Sequence, residues 1–199
     1  MRPLCALAAF FACVVPSDGA LAQDPSAPLP ACEWCGAGEA PDRLSSETTI
    51  AGPDEPGEWL TVTGTVYAPD GTTPAPNVVL YMYHTNNEGV YPRRGDETGN
   101  GRRHGYLRSW IRTDEQGRYR AHTIRPGTYP TRTEPAHIHI TVQPPGGEEV
   151  WIDSIVFDDD PLLTPARRAA LDGRGGSGVV TLRRDEQGWH GTRDIVLPG

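Results

Sequence analysis

Two histidines two residues apart, His137 and His139, and two tyrosines in glycine-rich turns, Tyr91 and Tyr129, are the residues whose types and spacing could do chemistry. If Ile138 and Ile140 mark the core side of a strand, both imidazoles project from the opposite face, because strand side chains alternate. Two neutral imidazoles side by side are a natural pair of metal ligands held by one rigid element. His-x-His alone equally fits a half-exposed strand with no chemistry. The tyrosines tip the balance. Tyr129 lies in Gly127-Thr128-Tyr129-Pro130, a turn able to fold its phenol back towards the histidines, and Tyr91 lies upstream in Gly89-Val90-Tyr91. Phenolate oxygen is a hard anionic donor that favours Fe(III) over Zn(II) or Cu(I). A free tyrosine ionises near pH 10, roughly, so it ligates at neutral pH only where a cation stabilises its anion. Fe(III) with two phenolates and one hydroxide is neutral, which a partly buried site tolerates. A zinc or copper hydrolase built on the two histidines alone would leave the tyrosines without a role.

Positioning these side chains calls for short strands and turns. Glycine (23) and proline (20) together exceed a fifth of the 199 residues, and few segments have helical periodicity. Strands are predicted over 60–67, 77–84, 150–157, 179–183 and 192–197, besides the His-x-His strand, and the last two are predicted to pair. Residues 106–113 and 118–123 are predicted to form a hairpin around Asp114-Glu115-Gln116-Gly117. Thr164-Pro165 reads as an N-cap followed by proline at the first helical position, opening a helix over 166–171 that Gly173 closes. The expected class is all-β: a single-domain antiparallel β-sandwich with long loops and one short helix. Residues 86–104 interrupt it as a long polar loop carrying Tyr91 and several arginines. Long loops in small domains are often functional, although a solvated loop explains the arginines as well.

The ends and the charge narrow the setting. Residues 1–22 read as a secretory signal: Arg2, an apolar run from Leu4 to Val15, then Ala20-Leu21-Ala22 before Gln23. The expected location is periplasmic or secreted. Residues 23–58 form a Pro/Gly-rich arm lying over the surface or a partner, and 59–199 form the sandwich. Cys32 and Cys35 are then the cysteines left in the mature chain, and a local disulfide is expected of them in an oxidising compartment. A net charge of −8 argues against nucleic acid as a partner. No apolar run after the N-terminus approaches the roughly 20 residues of a membrane span. A homo-oligomer is compatible with all of this.

Taken together, Gly89-Val90-Tyr91, Pro126-Gly127-Thr128-Tyr129-Pro130 and Pro135-Ala136-His137-Ile138-His139 resemble the intradiol ring-cleavage dioxygenases of the protocatechuate 3,4-dioxygenase type. Thr113-Asp114, Gly117, Tyr119 and Phe157-x-x-Asp160-Pro161 are similar to further family features, and the likeness spans about residues 59–163. It implies Fe(III) held by Tyr91, Tyr129, His137 and His139, with a catechol and O2 as substrates and a muconate-type diacid as product. It also implies that Tyr129 leaves the metal to act as a base, while the other three ligands stay. Two positions depart from the family pattern. Glu134 stands where an arginine commonly stabilises the substrate anion, and Ser154 where a glutamine is expected; Arg132 is the candidate to replace the arginine. The rival reading is a non-enzymatic, transthyretin-like binding sandwich, which the strands and turns fit equally well but which leaves the four ligand positions unexplained.

Overall fold

The computed structural model describes residues 28–199, so the secretory signal expected over residues 1–22 lies outside the described residues. After a 3-10 turn at Ala37–Glu39, the chain runs β1 (Glu47–Thr49), β2 (Trp59–Tyr67), β3 (Val79–His84), α1 (Gly101–His104), β4 (Arg108–Arg112), β5 (Arg118–Ile124) and β6 (His137–Gln143). It continues with β7 (Val150–Trp151), β8 (Ile155–Phe157), α2 (Pro165–Ala169), β9 (Val179–Val180), β10 (Arg183–Asp185), β11 (Gly188–Thr192) and β12 (Ile195–Val196). Among the described residues no helix is long and apolar enough to cross a membrane.

The strands form two sheets, so the all-β sandwich expected from the sequence is the architecture observed. One sheet has the order β1-β5-β2-β11-β10, with β12 also on β2; the other has β4-β3-β6-β8-β9, with β7 on β6. The central ladders β2–β5, β3–β4 and β3–β6 are antiparallel. Parallel pairing, which the sequence did not suggest, joins β1 to β5, β11 and β12 to β2, and β9 to β8. Two predicted pairings fail. The turn at Asp114 exists, with the Gly117 N–H donating to the Asp114 carbonyl at 2.9 Å. However, β4 and β5 leave it for different sheets, because Ile111 is buried on the β3–β4 ladder while Tyr119 and Ala121 are buried on β5, beside β2. The segments at 179–183 and 192–197 do not pair with each other either: β9 pairs with β8, Arg183 of β10 with β11, and β12 with β2. The long loop is not wholly irregular, since it holds α1.

Between the sheets lies the core: Leu60, Val62 and Val66 from one side, Leu80, Met82, Ile138, Ile140 and Val142 from the other. Each such side chain removed from water stabilises the fold by about 1.5–3 kcal/mol before entropy is counted. β6 therefore has its inward face determined by Ile138, Ile140 and Val142, and its outward face by His137, His139 and Thr141. β3 beside it alternates in step: Leu80 and Met82 point in, Tyr81 and Tyr83 out, and Tyr83 pairs with His139 in the ladder. The outward face of this sheet is covered by the arm. The Cys32–Cys35 disulfide is formed, with an S–S distance of 2.03 Å, and Trp110 Nε1 donates to the Gly36 carbonyl at 2.6 Å. Further along, Ile50 and Ala51 are buried and β1 joins the first sheet, so the expected arm is partly woven into the sandwich.

Candidate metal centre

The site lies on the outward face of β6, where two loops bring the tyrosines to the histidines. Asn86 closes the first loop: its Oδ1 accepts from the N–H groups of Glu88 (3.1 Å) and Val90 (3.0 Å), and its carbonyl accepts from the N–H of Gly127 on the second loop (2.8 Å). Thr85 Oγ1 donates to the Gly127 carbonyl at 2.8 Å. Gly89 (φ 79°) is where the loops touch, since any Cβ there would collide with the Thr128 carbonyl. The two glycine-tyrosine turns are thus one interlocked unit. On the other side, Asp160 accepts from the Ala136 N–H at 2.8 Å and so fixes the chain entering β6.

All four ligand candidates meet. Tyr91 Oη lies 2.7 Å from Tyr129 Oη, which lies 3.2 Å from His137 Nε2 and 3.3 Å from His139 Nε2. The two Nε2 atoms are 3.0 Å apart. Donors set tetrahedrally at about 2 Å from a cation stand roughly 3.3 Å from one another, so these spacings suit a small shared cation. The His137 Nδ1–H donates to the Pro135 carbonyl at 2.8 Å, which leaves the Nε2 lone pair facing the cluster. Burial holds the His139 imidazole well below its ordinary range and pushes both phenols up; the contact between them raises Tyr91 further and partly offsets the rise at Tyr129. Neutral imidazoles are ready ligands, but neither phenol ionises near pH 7 without a strong cation beside it. Among the described residues no three His, Cys, Asp or Glu side chains gather for a metal, so a cation here must be one that accepts phenolate. The donor set fits Fe(III).

A model of the dioxygenase family matches residues 37–174. The chain belongs to the intradiol ring-cleavage dioxygenases. Catechol 1,2-dioxygenase of Acinetobacter baylyi is 34% identical over 147 residues, covering 63% of this chain and 46% of that protein. The protocatechuate 3,4-dioxygenase alpha chain of Burkholderia cepacia is 30% identical over 148 residues, 70% of each. Among solved structures, the dioxygenase domain of a dioxygenase carbohydrate-binding protein fusion from Streptomyces sp. SirexAA-E superposes with a TM-score of 0.59 at 26% identity, over 79% of this chain and 90% of that one. The chain thus spans about half the length of the catechol 1,2-dioxygenase it matches.

Around this intradiol cluster the departures from pattern take definite places. Glu134 and Ser154 both line a cavity beside His137 and His139, and Ser154 Oγ lies 3.4 Å from His139 Nδ1. Arg132 is not brought there. It is exposed, with φ 51°, in a turn whose N–H donates to the Tyr129 carbonyl at 2.7 Å; the arginine on the cavity wall is Arg167 of α2. Nor do the loop arginines gather at the site. Arg108 pairs with Glu39 at 2.6 Å, Arg103 bonds the Pro30 carbonyl at 2.8 Å, and Arg94 covers the Tyr106 ring.

Sequence reasoning missed Tyr83 and His104. The Tyr83 ring stacks on His139 (4.5 Å between centroids, 17°), and His104 stacks on the far side of Tyr83 (3.6 Å, 9°). His104 in turn bonds Tyr81 Oη and the Glu33 carbonyl, both at 2.7 Å, so the stack ends on the disulfide loop. The alternation of Tyr81 and Tyr83 in the strand was the one available signal. Nothing local marks His104 as its neighbour.

Proposed function

We propose that this chain is a non-haem Fe(III) enzyme that cleaves a catechol between its two hydroxylated carbons, adding both atoms of O2 to give a muconate-type diacid. The observation that carries the proposal is the convergence of Tyr91, Tyr129, His137 and His139 at one point. A non-catalytic sandwich gives no reason to bury four such donors together. Iron, when bound, supplies electron withdrawal from the catecholate so that its ring carbon reacts with O2. Tyr91, His137 and His139 would hold it throughout: two are set by a strand and one by the interlocked turn. Tyr129 is differently placed. Residues 130–134 after it are exposed, so its phenol can swing out without disturbing the core, and as a phenolate it takes a proton from the incoming catechol. Residues 1–22 and the Cys32–Cys35 disulfide support an exported protein, working in the periplasm or outside the cell.

Glu134 sets a carboxylate where negative charge develops on the substrate. One misplaced charge beside a poorly hydrated site costs roughly a hundredfold in rate. Measuring O2 uptake and ring-opened product across a series of catechols tests both points. Slow cleavage of protocatechuate that Glu134→Arg accelerates is expected, and loss of turnover in Tyr129→Phe. Full activity in His137→Ala would place the site elsewhere.

A further inference from the structure

The cavity beside the four donors is larger than the substrates of the relatives need. It is an open cleft of about 660 Å³, a size that suits a drug-sized ligand, whereas a benzenediol fills a small part of it. The space beyond the histidines is walled by Trp151, Val156, Leu163 and Leu171. Leu163 and Val156 are anchored in the protein, at 7% and 5% exposure, so this wall is preformed. The outer wall is α2 and the turn after it, held by the Thr164 cap, which accepts from the Arg167 N–H at 3.3 Å. Charge at the cavity is mixed, with two carboxylates against one guanidinium. Glu134 contributes a carboxylate, and Arg167 a guanidinium whose side chain donates to the Leu162 carbonyl at 3.3 Å and to no carboxylate among the described residues. Asp153 is buried, its Oδ2 accepting from the Gly173 N–H at 2.7 Å. With Glu134 and Asp153 outnumbering Arg167, nothing here favours an anionic tail, and most of the surface that remains is apolar.

We infer that the enzyme is built for catechols carrying a bulky, uncharged apolar substituent such as a second aromatic ring, with the Trp151–Leu163–Leu171 wall holding that substituent. This rests on the catechol-cleaving function proposed above. A ring buried in such a pocket discriminates by roughly tenfold or more. The position of α2 then sets specificity, while the four donors set the chemistry.

The test uses the full iron-loaded protein, its metal content verified. Calorimetric titration without oxygen should show 4-phenylcatechol binding at least tenfold tighter than catechol and tighter than protocatechuate, with the same order in kcat/KM once O2 is admitted. Ala170, exposed and on the cavity wall, offers a way to fill the space without touching the core: Ala170→Trp should bring the two affinities close to parity. Leu171→Asp should shift them the same way. Equal affinities in the unmodified protein, with both catechols cleaved, would overturn the specificity assignment and leave the dioxygenase reading standing. Preference for protocatechuate would overturn it too, as would an unchanged preference in both variants. No O2 uptake with any of the three compounds would instead sink the catalytic reading on which the inference rests.

Discussion

His84 and His139 lie on opposite faces of one sheet, the first fully buried and the second partly so, and both are kept neutral, for different ends. His139 offers its Nε2 lone pair to the donor cluster. His84 faces the core, fully buried, its Nδ1–H donating to the Thr85 carbonyl at 2.7 Å and its Nε2 accepting from Thr123 Oγ1 at 2.6 Å. Burial pushes its imidazole down to about 4. The folded protein therefore binds that proton only below about 4, while the unfolded chain binds it below roughly 6.5. Between those values the unfolded state holds more protons, so stability is complete above pH 6.5 or so and falls as the pH drops towards 4, by on the order of 3 kcal/mol. His104, also lowered to about 4 by burial, acts in the same direction. Urea midpoints from pH 7.5 to 4.5 should fall steeply for the native chain and less steeply for His84→Gln; identical slopes would show that His84 is not the sensor. Here the sequence was only partly legible. His137 and His139 declare themselves by spacing, Tyr91 and Tyr129 by their glycine turns. His84 ends an apolar strand and His104 sits in a polar loop, and only the folded register gives either a role.

The elements around the site show the same division between local and distant causes. Gly89 was readable as part of a turn; that its turn is pressed against Thr128 was not, because the contact joins residues far apart in sequence. A side chain at Gly89 would meet both a left-handed backbone and the Thr128 carbonyl. Gly89→Ala should cost about 2 kcal/mol or more and displace Tyr91 with it. Denaturant titration paired with iron analysis checks this: the expected result is lower stability and less than full iron, whereas native values for both would mean that the two loops are not interlocked. The Asp114–Gly117 reversal makes the complementary point. Turn chemistry fixes the reversal locally, but burial of Ile111, Tyr119 and Ala121 decides which sheet each arm joins. α2, by contrast, was legible to within a residue or two, because Thr164 and Pro165 are local signals and the helix needs no distant partner to start.

Across the whole molecule, one sheet carries the donor cluster on its outward face, and the chain's own arm closes over that face. Glu149 receives the Gly36 and Ala37 N–H groups at 2.8 and 2.9 Å, and Asn100 Nδ2 donates to the Cys32 and Cys35 carbonyls at 2.8 and 2.7 Å. The sequence foretold an arm over a surface and a disulfide within it, but not that the surface would be the sheet face that carries the donor cluster. Everything proposed for the function depends on ferric iron between two phenolates and two imidazoles. Visible absorption of the purified full chain, with metal analysis of the same sample, tests that most directly. About one iron per chain and a tyrosinate-to-iron band in the visible, weakened in Tyr129→Phe and lost with the iron in His137→Ala, is the expected result. A colourless protein that holds zinc in place of iron, and takes up no iron when it is offered, would contradict it.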